Sequence, residues 1–381
     1  MKGIALPFEV KSPLLRRLIL IFLLSWMASY SIYTSYYKAY AVEQYERYQA
    51  HIAGHSMFFN PWQYRILCPV LIEGIYKVFD ATVYKVVEVK GINLPVQGNV
   101  DDKNANTRKL LESLRDPEFV KHTIVFLGFR FLQGILVLIL AYHYLAVFVK
   151  SNNLRWLALI IITLATGNGV VDSDLTFNTY ADIIFYLWAG LVITKRMNDW
   201  WIVPITILGA LNRETSVFIP ALYFFSRVDW AAWPSFVKTF FVDKKAIVIT
   251  AICAVAYVSI FAAIRIYYGY EPQQTWRVGP GWPMFKLNML GSASVKTYSE
   301  FFGVFAFFPL WALFVLKRSS YNLKVFFWTL VPVWFALHIF TAIAFQTRLF
   351  LVPTLLVIIP IVFEYIDRSH NPNPNTSPVA L

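Results

Sequence analysis

Long uncharged runs of apolar residues alternate with short polar connections along the chain. The first run covers residues 18–37 and is bounded by Arg17 and Lys38. At about 1.5 Å per residue, a helix of this length spans roughly 30 Å, the thickness of a bilayer core. The run predicts a transmembrane helix. A cleaved signal peptide is the alternative, because Ala39-Tyr40-Ala41 has the form of a cleavage site, but the run is longer than a usual signal-peptide core and more runs follow.

Further apolar runs continue to the end of the chain. Several are shorter than the roughly 20 residues that an independent span requires, so they must tilt, extend into polar ends or form hairpins that cross part of the membrane. The two runs on either side of Asn212-Arg213-Glu214-Thr215 are the clearest case. The pattern predicts an all-α, polytopic transmembrane bundle of about ten segments. The later runs cover residues 131–149, 156–171, 183–194, 200–211, 216–226, 246–264, 301–316, 325–347 and 349–363.

The composition agrees with lipid as the solvent. Of the 381 residues, 58% are hydrophobic and 15% are charged, and the mean hydropathy is +0.53. A soluble domain has about 45–50% apolar and about 25% charged residues, because its surface needs polar cover. These values exclude a soluble protein with a single core.

The net charge of +12 agrees with a membrane topology. Such an excess would suit nucleic acid binding, but the positively charged inner loops of membrane proteins produce it too. If the N-terminus is cytoplasmic, 16 Lys and Arg residues fall on the inner side and six in the short outer connections. The distribution predicts that both termini are cytoplasmic. Because the basic residues are scattered as pairs at helix ends, no nucleic acid partner is expected.

The predicted organisation is a single integral membrane domain over residues 1–381. Residues 39–122 are expected to form a large extracytoplasmic loop. Within this loop, residues 66–79 predict a helix at the membrane interface, since they are apolar but too few to span a bilayer, and a short helix is expected near residues 107–114. Residues 364–381 are expected to be a disordered cytoplasmic tail.

Arginines mark the places where polar connections meet apolar runs. They are Arg65, Arg213, Arg265 and Arg348. An unpaired guanidinium in a membrane costs about 2.5–3.5 kcal/mol even on lenient scales, so such residues pair or line a wet cavity. The rigid guanidinium fork suits phosphate, which predicts a pyrophosphate or lipid-phosphate site at the outer face. The residues predicted to bind substrate are His55, Tyr64, Arg65, Arg213, Glu214 and Arg348.

A structural role for these arginines is the alternative. Arg213 would then form an ion pair with an acid, and Arg348 would extend to the lipid head groups. The acids considered as partners of Arg213 are Glu214, Asp172 and Asp182.

Acidic residues and histidines supply the other candidate chemistry. Glu43 and Glu46 directly follow the first span, where a carboxylate can act as general base on an acceptor hydroxyl. Asp172 and Asp174 are spaced closely enough to hold a divalent cation that bridges phosphates, although acids also favour helix N-termini. The only cofactor that this pattern predicts is a divalent cation.

Histidines and sequence motifs narrow the chemistry further. His51 and His55 are four residues apart, as zinc ligands can be, but the adjacent glutamate of a zinc protease is missing, which favours structural or substrate contacts. His143 and His338 lie within apolar runs and are expected to hydrogen-bond between helices. The sequence contains no P-loop, no dinucleotide fingerprint and no Gly-x-Ser-x-Gly, which argues against ATP-driven chemistry in this chain.

This arrangement resembles the GT-C superfamily of polytopic glycosyltransferases, which use polyprenyl-phosphate sugars. The Tyr64-Arg65-x-Leu67-x-Pro69 element, the Asn212-Arg213-Glu214-Thr215 element and the Thr-Arg-Leu-Phe-x-x-Pro element at residues 347–353 are similar to those of uncharacterised bacterial integral membrane proteins grouped near that superfamily. The resemblance implies a bacterial inner (plasma) membrane protein of the cell envelope. It places Glu43 or Glu46 in the catalytic position.

The resemblance also implies the remaining roles. Asp172 and Asp174 would occupy the second acidic position, and Arg213 and Arg348 would hold phosphate. The leading hypothesis is a membrane glycosyltransferase that moves a sugar from a polyprenyl-phosphate donor at the outer face, with membrane lipid and a lipid-linked sugar as partners. The alternatives are a transporter or flippase of a lipid-linked or anionic substrate, which broken short helices would suit, and a non-catalytic subunit of an envelope assembly system.

Overall fold

The computed structural model describes residues 12–35, 40–54, 57, 60–93, 105–170, 176–228, 230, 243–271 and 278–370. These residues form helices and connecting turns, with no β-strand among them. The helices are α1 (Pro13–Ser35), α2 (Ala41–Ile52), α3 (Leu67–Ala81), α4 (Val83–Val86), α5 (Ala105–Ser113), α6 (Pro117–Phe148), α7 (Asn152–Gly169), α8 (Thr176–Thr194), α9 (Ile202–Asn212), α10 (Phe218–Ser226), α11 (Lys244–Tyr268), α12 (Trp282–Met289), α13 (Ser294–Phe305), α14 (Phe308–Val315), α15 (Tyr321–Thr341) and α16 (Ile359–His370).

Shorter turns connect several of these helices. Two precede α16: the 3-10 turn Thr347–Phe350 and, after Leu351–Pro353, the π-helical turn Thr354–Ile358. Further 3-10 turns lie at Trp62–Tyr64, Asp199–Trp201, Glu214–Val217 and Leu316–Arg318.

Six helical segments of the described chain are long and apolar enough to cross a membrane. They are Pro13–Ser31, Pro117–Phe148, Phe177–Thr194, Lys244–Tyr268, Tyr321–Thr341 and Thr347–His370. The helices α13 and α14 add a seventh if this pair, bent by 71°, is taken as one broken span. The predicted all-α membrane fold is confirmed at this level. The predicted number of ten also counts shorter runs, such as α9 and α10, which have 11 and 9 residues.

Two of the six segments form the centre of the bundle. The segments Phe177–Thr194 and Thr347–His370 are each 89% buried within the protein, whereas Pro13–Ser31 is 17% buried and Lys244–Tyr268 is 22% buried. Most of these helices are apolar around their whole circumference, so hydropathy alone does not distinguish a lipid-facing helix from a central one. Packing against neighbours makes the distinction.

Small residues allow the central and peripheral helices to approach closely. A Cβ atom on Gly190 of α8 would lie 2.8 Å from both Leu356 Cδ1 and Tyr144 Cε2. A Cβ atom on Gly134 of α6 would lie 2.7 Å from the hydroxyl oxygen of Ser25 on α1. Within membranes such close contacts replace the hydrophobic driving force as the source of helix association.

The described part of the segment between α1 and α6 is largely helical. The helix predicted over residues 66–79 forms as α3, and the short helix predicted near residues 107–114 forms as α5. The helix α6 begins inside the predicted loop boundary, at Pro117, where the Asp116 carboxylate accepts a hydrogen bond of 3.0 Å from the Glu118 backbone N–H. An acidic N-cap followed by proline is a strong helix start.

The C-terminal helix corrects the predicted tail. The sequence predicts disorder from residue 364, but α16 continues to His370. Glu364 accepts a 2.8 Å hydrogen bond from the Ser320 N–H, and Asp367 accepts bonds of 2.6 and 3.2 Å from the Lys150 and Ser151 N–H groups. Residues 364–370 are therefore ordered because their carboxylates bind backbone donors of neighbouring turns. Residues 371–381 lie outside the described part of the chain.

Candidate functional site

The site is built on a hairpin of two short helices, α9 and α10. The chain leaves α9 at Arg213 in an extended conformation and re-enters a helical turn at Glu214. The Ser216 hydroxyl donates a 2.8 Å hydrogen bond to the Arg213 carbonyl, which closes the turn. A Cβ atom on Gly209 would lie 2.7 Å from the Ser216 Cβ, so a glycine lets the two arms of the hairpin approach. The turn places Arg213 inside the bundle, with 5% of its surface exposed.

Arg213 forms a buried ion pair with Asp182 of the central helix α8. The Arg213 Nη1 and Asp182 Oδ2 atoms are 3.3 Å apart. The Thr215 hydroxyl donates to the same carboxylate oxygen over 3.1 Å, and the Tyr186 hydroxyl donates to the Thr215 carbonyl over 2.5 Å. Asp182 has no exposed surface. A buried charge needs such compensation, because water is not present to solvate it.

Glu214 gathers two further arginines. Its Oε2 atom lies 3.0 Å from Arg65 Nη2, and its Oε1 atom lies 3.8 Å from Arg265 Nη2. The Tyr257 hydroxyl donates a 2.7 Å hydrogen bond to the Glu214 carbonyl, which ties the turn to the middle of α11. We refer to Arg65, Asp182, Arg213, Glu214 and Arg265 as the arginine cluster.

Arg65 is positioned by the turn that precedes α3. The Tyr64 hydroxyl donates to the Gly269 carbonyl over 2.9 Å and accepts from the Glu271 N–H over 3.1 Å. The Arg265 guanidinium lies 4.3 Å from the centre of the Tyr64 ring. Tyr64 thus fastens the turn to the end of α11, and Arg65 reaches the cluster with only 8% of its surface exposed.

Arg348 lies on a neighbouring turn rather than in these ion pairs. Its Nη2 atom donates a 3.1 Å hydrogen bond to the Gln346 side-chain oxygen, and 6% of its surface is exposed. The same turn is held by Trp334, whose indole N–H donates to the Leu349 carbonyl over 2.6 Å. The Trp334 ring also packs against Tyr186, with ring centres 5.5 Å apart. Arg348 is therefore linked to the arginine cluster through two aromatic side chains.

The arginine cluster carries more positive than negative charge. It contains three guanidinium groups and two carboxylates, an excess of one positive charge. Within the described part of the chain, the buried Nε atoms of Arg65 and Arg213 have no hydrogen-bond partner. An arrangement of this kind can accept an anion, because a guanidinium retains unused donors after forming one ion pair.

The two acids predicted to be catalytic lie elsewhere, on α2. Glu43 forms an ion pair with Arg47, and Glu46 forms one of 2.8 Å with Lys109 of α5. Their side chains are 47% and 42% exposed. No described contact joins either of them to the arginine cluster.

The remaining predicted residues have mixed positions. His55, Asp172 and Asp174 lie outside the described residues. His51 stacks on Tyr268 at 5.6 Å between ring centres, and burial lowers its pKa below the usual value. In the described part of the chain, no group of three or more His, Cys, Asp or Glu side chains converges as metal ligands would.

One buried charge was not identified from the sequence. Arg130 of α6 is 3% exposed, donates a 3.1 Å hydrogen bond to the Gln44 side-chain oxygen and lies 4.4 Å from the centre of the Phe177 ring. The sequence signal that could have identified Arg130 is its position directly before the apolar run 131–149. An ionisable residue within a membrane segment marks a functional position by default.

Cys68 also lies close to this region, but not as a nucleophile. Its thiol donates to the Asn212 side-chain oxygen over 3.6 Å, next to Arg213. Burial raises the pKa of Cys68 to about 12, so the side chain is a neutral thiol. The thiolate is the reactive form of cysteine. Cys68 therefore packs and hydrogen-bonds at the base of the hairpin.

Comparisons with protein-family models, with curated proteins and with solved structures each gave no match to this chain.

Proposed function

We propose that the arginine cluster binds the phosphate of a polyprenyl-phosphate sugar and that the protein transfers this sugar to an acceptor hydroxyl. The observation that carries the proposal is the excess of one positive charge in a nearly buried cluster of three arginines and two acids. Phosphate is the natural counter-ion, because its oxygens match the guanidinium fork. A transferase of this kind would be integral to the bacterial inner membrane and would act at its outer face.

The depth of the cluster supports a lipid-linked donor. Arg265 stands near the end of the membrane-capable helix α11, and Asp182 stands in the second turn of α8. With cytoplasmic termini, both positions fall in the outer part of the bilayer if the 18-residue helix α7 also crosses it and the α9–α10 hairpin enters and leaves on the cytoplasmic side. A phosphate carried on a long lipid would reach this depth with its chain still in the hydrocarbon region. A water-soluble donor would have to leave water first.

The division of roles follows from the contacts. Arg65 and Arg265 share one partly exposed carboxylate, that of Glu214, which is 28% exposed. An incoming phosphate would replace part of this carboxylate's contacts with the two arginines. Arg213 forms an ion pair with the fully buried Asp182. It would stabilise the phosphate charge from inside the bundle. Charge that develops on the departing phosphate would be stabilised by groups already in place.

Binding of the donor is the direct test. We expect the purified protein in lipid nanodiscs to bind undecaprenyl phosphate and not undecaprenol, since the phosphate supplies the recognised charge. The variant R65Q is expected to weaken this binding at least about tenfold, equivalent to about 1.4 kcal/mol. The matched control K109Q removes a basic residue that is 54% exposed on α5, and it should change the affinity less than about twofold.

Two results would contradict the proposal. One is equal binding of the phosphate and the alcohol by the wild-type protein. The other is an equal effect of R65Q and K109Q. Transfer itself would be measured with a labelled sugar on undecaprenyl phosphate, by the release of free undecaprenyl phosphate.

A transporter or flippase is the second candidate, favoured by the hairpin. The helices α9 and α10 meet inside the bundle at the Arg213 turn and are too short to cross it alone. Broken helices of this kind form substrate sites in secondary transporters. Movement of a labelled lipid phosphate between the leaflets of reconstituted vesicles, without release of the sugar, would favour this function over transfer.

A further inference from the structure

Two arginines share one tyrosine ring at the end of the bundle that is predicted to face the cytoplasm. The Cζ atoms of Arg17 on α1 and Arg155 on α7 lie 5.5 and 5.1 Å from the centre of the Tyr142 ring on α6. The Tyr142 hydroxyl donates a 2.9 Å hydrogen bond to the Asn152 side-chain oxygen, which holds the ring beside the first turn of α7. The ends of three helices therefore bring two positive charges to one place.

These arginines have no acidic partner among the residues that the structure describes. No described Asp or Glu side chain lies within ion-pair distance of Arg17, of Arg155 or of the exposed Lys195 that follows α8. Lys195 and Arg17 both lie within electrostatic range of His143, the residue after Tyr142. Like charges repel, so an anion that joins this group would stabilise it.

Most hydrogen-bond donors of the two guanidinium groups remain unused. Arg155 Nη2 donates one hydrogen bond, of 3.4 Å, to the Lys150 carbonyl. The Arg17 guanidinium donates none to the described residues. A guanidinium carries five N–H donors in a planar fork that matches two phosphate oxygens. The chemistry of the pair therefore favours a phosphate group.

The surroundings favour a phosphate that belongs to a lipid. The helices α1 and α7 pack against each other, and towards the bilayer centre both expose apolar side chains: Leu18 and Phe22 on α1, Ile160 and Leu164 on α7. A lipid head group at the two arginines would have its acyl chains along this surface, whereas a free phosphate would lose water without that gain. Basic pockets between membrane helices on the cytoplasmic side bind anionic lipid head groups.

We propose that Arg17, Tyr142 and Arg155 form a binding site for an anionic phospholipid of the cytoplasmic leaflet, such as phosphatidylglycerol. The site is separate from the arginine cluster. Lys195 follows Asp182 by 13 residues, which is about 20 Å along a helix, so the two sites lie towards opposite surfaces of the membrane. The lipid site does not depend on the proposed function.

A bound lipid at this place would strengthen the attachment of α1. The membrane-capable part of α1, Pro13–Ser31, is only 17% buried within the protein. A phosphate that contacts Arg17 on α1 and Arg155 on α7 would join the two helices where they leave the bilayer.

Lipid binding by the purified protein in detergent tests the site. By native mass spectrometry, we expect the wild-type protein to bind one phosphatidylglycerol more than R17Q/R155Q does. Its affinity for phosphatidylcholine, whose head group has no net charge, should be at least about tenfold lower. The matched control K317Q/R318Q also removes two positive charges, and Arg318 likewise lies over a ring, that of Tyr365, at 5.6 Å. This control should retain the additional lipid.

Three results would overturn the proposal. The first is the same number of phosphatidylglycerol molecules on R17Q/R155Q and on the wild-type protein, or the same loss in both double variants. The second is equal binding of phosphatidylglycerol and phosphatidylcholine. The third is displacement of the lipid by millimolar inorganic phosphate, which would indicate a site for a free anion.

A thermal measurement separates loss of the site from loss of folding. Without phosphatidylglycerol, R17Q/R155Q should unfold within a few degrees of the wild-type protein, because relief of charge repulsion offsets the lost contacts with the ring. Added phosphatidylglycerol should raise the midpoint of the wild-type protein and of R17K/R155K, since a ligand that binds only the folded state stabilises it. An equal rise in R17Q/R155Q would contradict the site.

Discussion

Two polar networks of this protein connect their helices in different ways. The arginine cluster neutralises Asp182 and Glu214 with guanidinium groups from the turn before α3, from the end of α9 and from α11. The second network, which we call the tyrosine network, consists of Tyr48, Glu73, Tyr76, Glu118 and His122. There the Tyr48 hydroxyl donates to Glu73 over 2.5 Å, and the Tyr76 hydroxyl donates to Glu118. The Tyr76 ring stacks on His122 with centres 3.9 Å apart.

The difference indicates which network is built for a ligand. In the tyrosine network, neutral hydroxyl donors join α2, α3 and α6 through Glu73 and Glu118. The basic partners of these two acids, Lys77 and Lys121, lie on the same helix as the acid that each one pairs with. The tyrosine network therefore resembles a structural connection. The arginine cluster instead concentrates charge inside the protein, where an ion pair contributes little to stability because desolvation offsets it. Charge retained at such a cost is better explained by a function.

The largest expected effect is in the arginine cluster. The variant D182N leaves Arg213 buried without its counter-ion and should lower the free energy of unfolding by about 3–5 kcal/mol. The matched control E46Q breaks an ion pair whose two side chains are 42% and 54% exposed, and it should change stability by less than about 1 kcal/mol. Thermal unfolding in lipid nanodiscs would measure both. Equal effects of the two variants would show that the buried Arg213 does not depend on the Asp182 carboxylate to compensate its charge.

A smaller effect is expected in the tyrosine network. The variant Y48F removes one donor from Glu73, whose side chain is 20% exposed, and should cost about 1–2 kcal/mol. Burial and the hydrogen bond to Glu73 raise the pKa of Tyr48. Because the folded pKa is the higher one, this stabilisation is complete below the value of free tyrosine, about 10, and is lost as the pH rises above it.

The pH dependence provides the check on this contrast. Unfolding midpoints measured from pH 8 to pH 11 should fall less steeply in Y48F than in the wild-type protein. A parallel decline in both proteins would mean that the hydroxyl of Tyr48 does not hold the network together.

The smallest effect is expected where the two regions meet. His51 of α2 stacks on Tyr268, at the end of the helix that carries Arg265. Burial lowers the pKa of His51, so the folded state favours its neutral form. Its contribution to stability is present above the value of free histidine, about 6.5, and is lost as the pH falls. H51Q should reduce the fall in the unfolding midpoint between pH 7 and pH 5, and an unchanged acid dependence in H51Q would contradict this.

Much of the helical framework could be predicted from the sequence. The helix α3 and the hairpin at Arg213 follow from run length and polarity, because both are local properties of the chain. The ion-pair partner of Arg213 could not be predicted from the sequence. Three acids were candidates, and the structure pairs Arg213 with Asp182, 31 residues away, while the adjacent Glu214 turns to Arg65 and Arg265. Side chains of consecutive residues point in different directions, so neighbours in sequence rarely pair.

The sequence by itself determined the solvent, the helical class and the places where arginines meet apolar helices. Each of these depends on composition or on a short run of residues. The tertiary structure decided which acid neutralises each arginine and which helices are central. These features depend on the rotation and crossing of helices. Helices that are apolar on every side carry no stripe from which that rotation can be inferred.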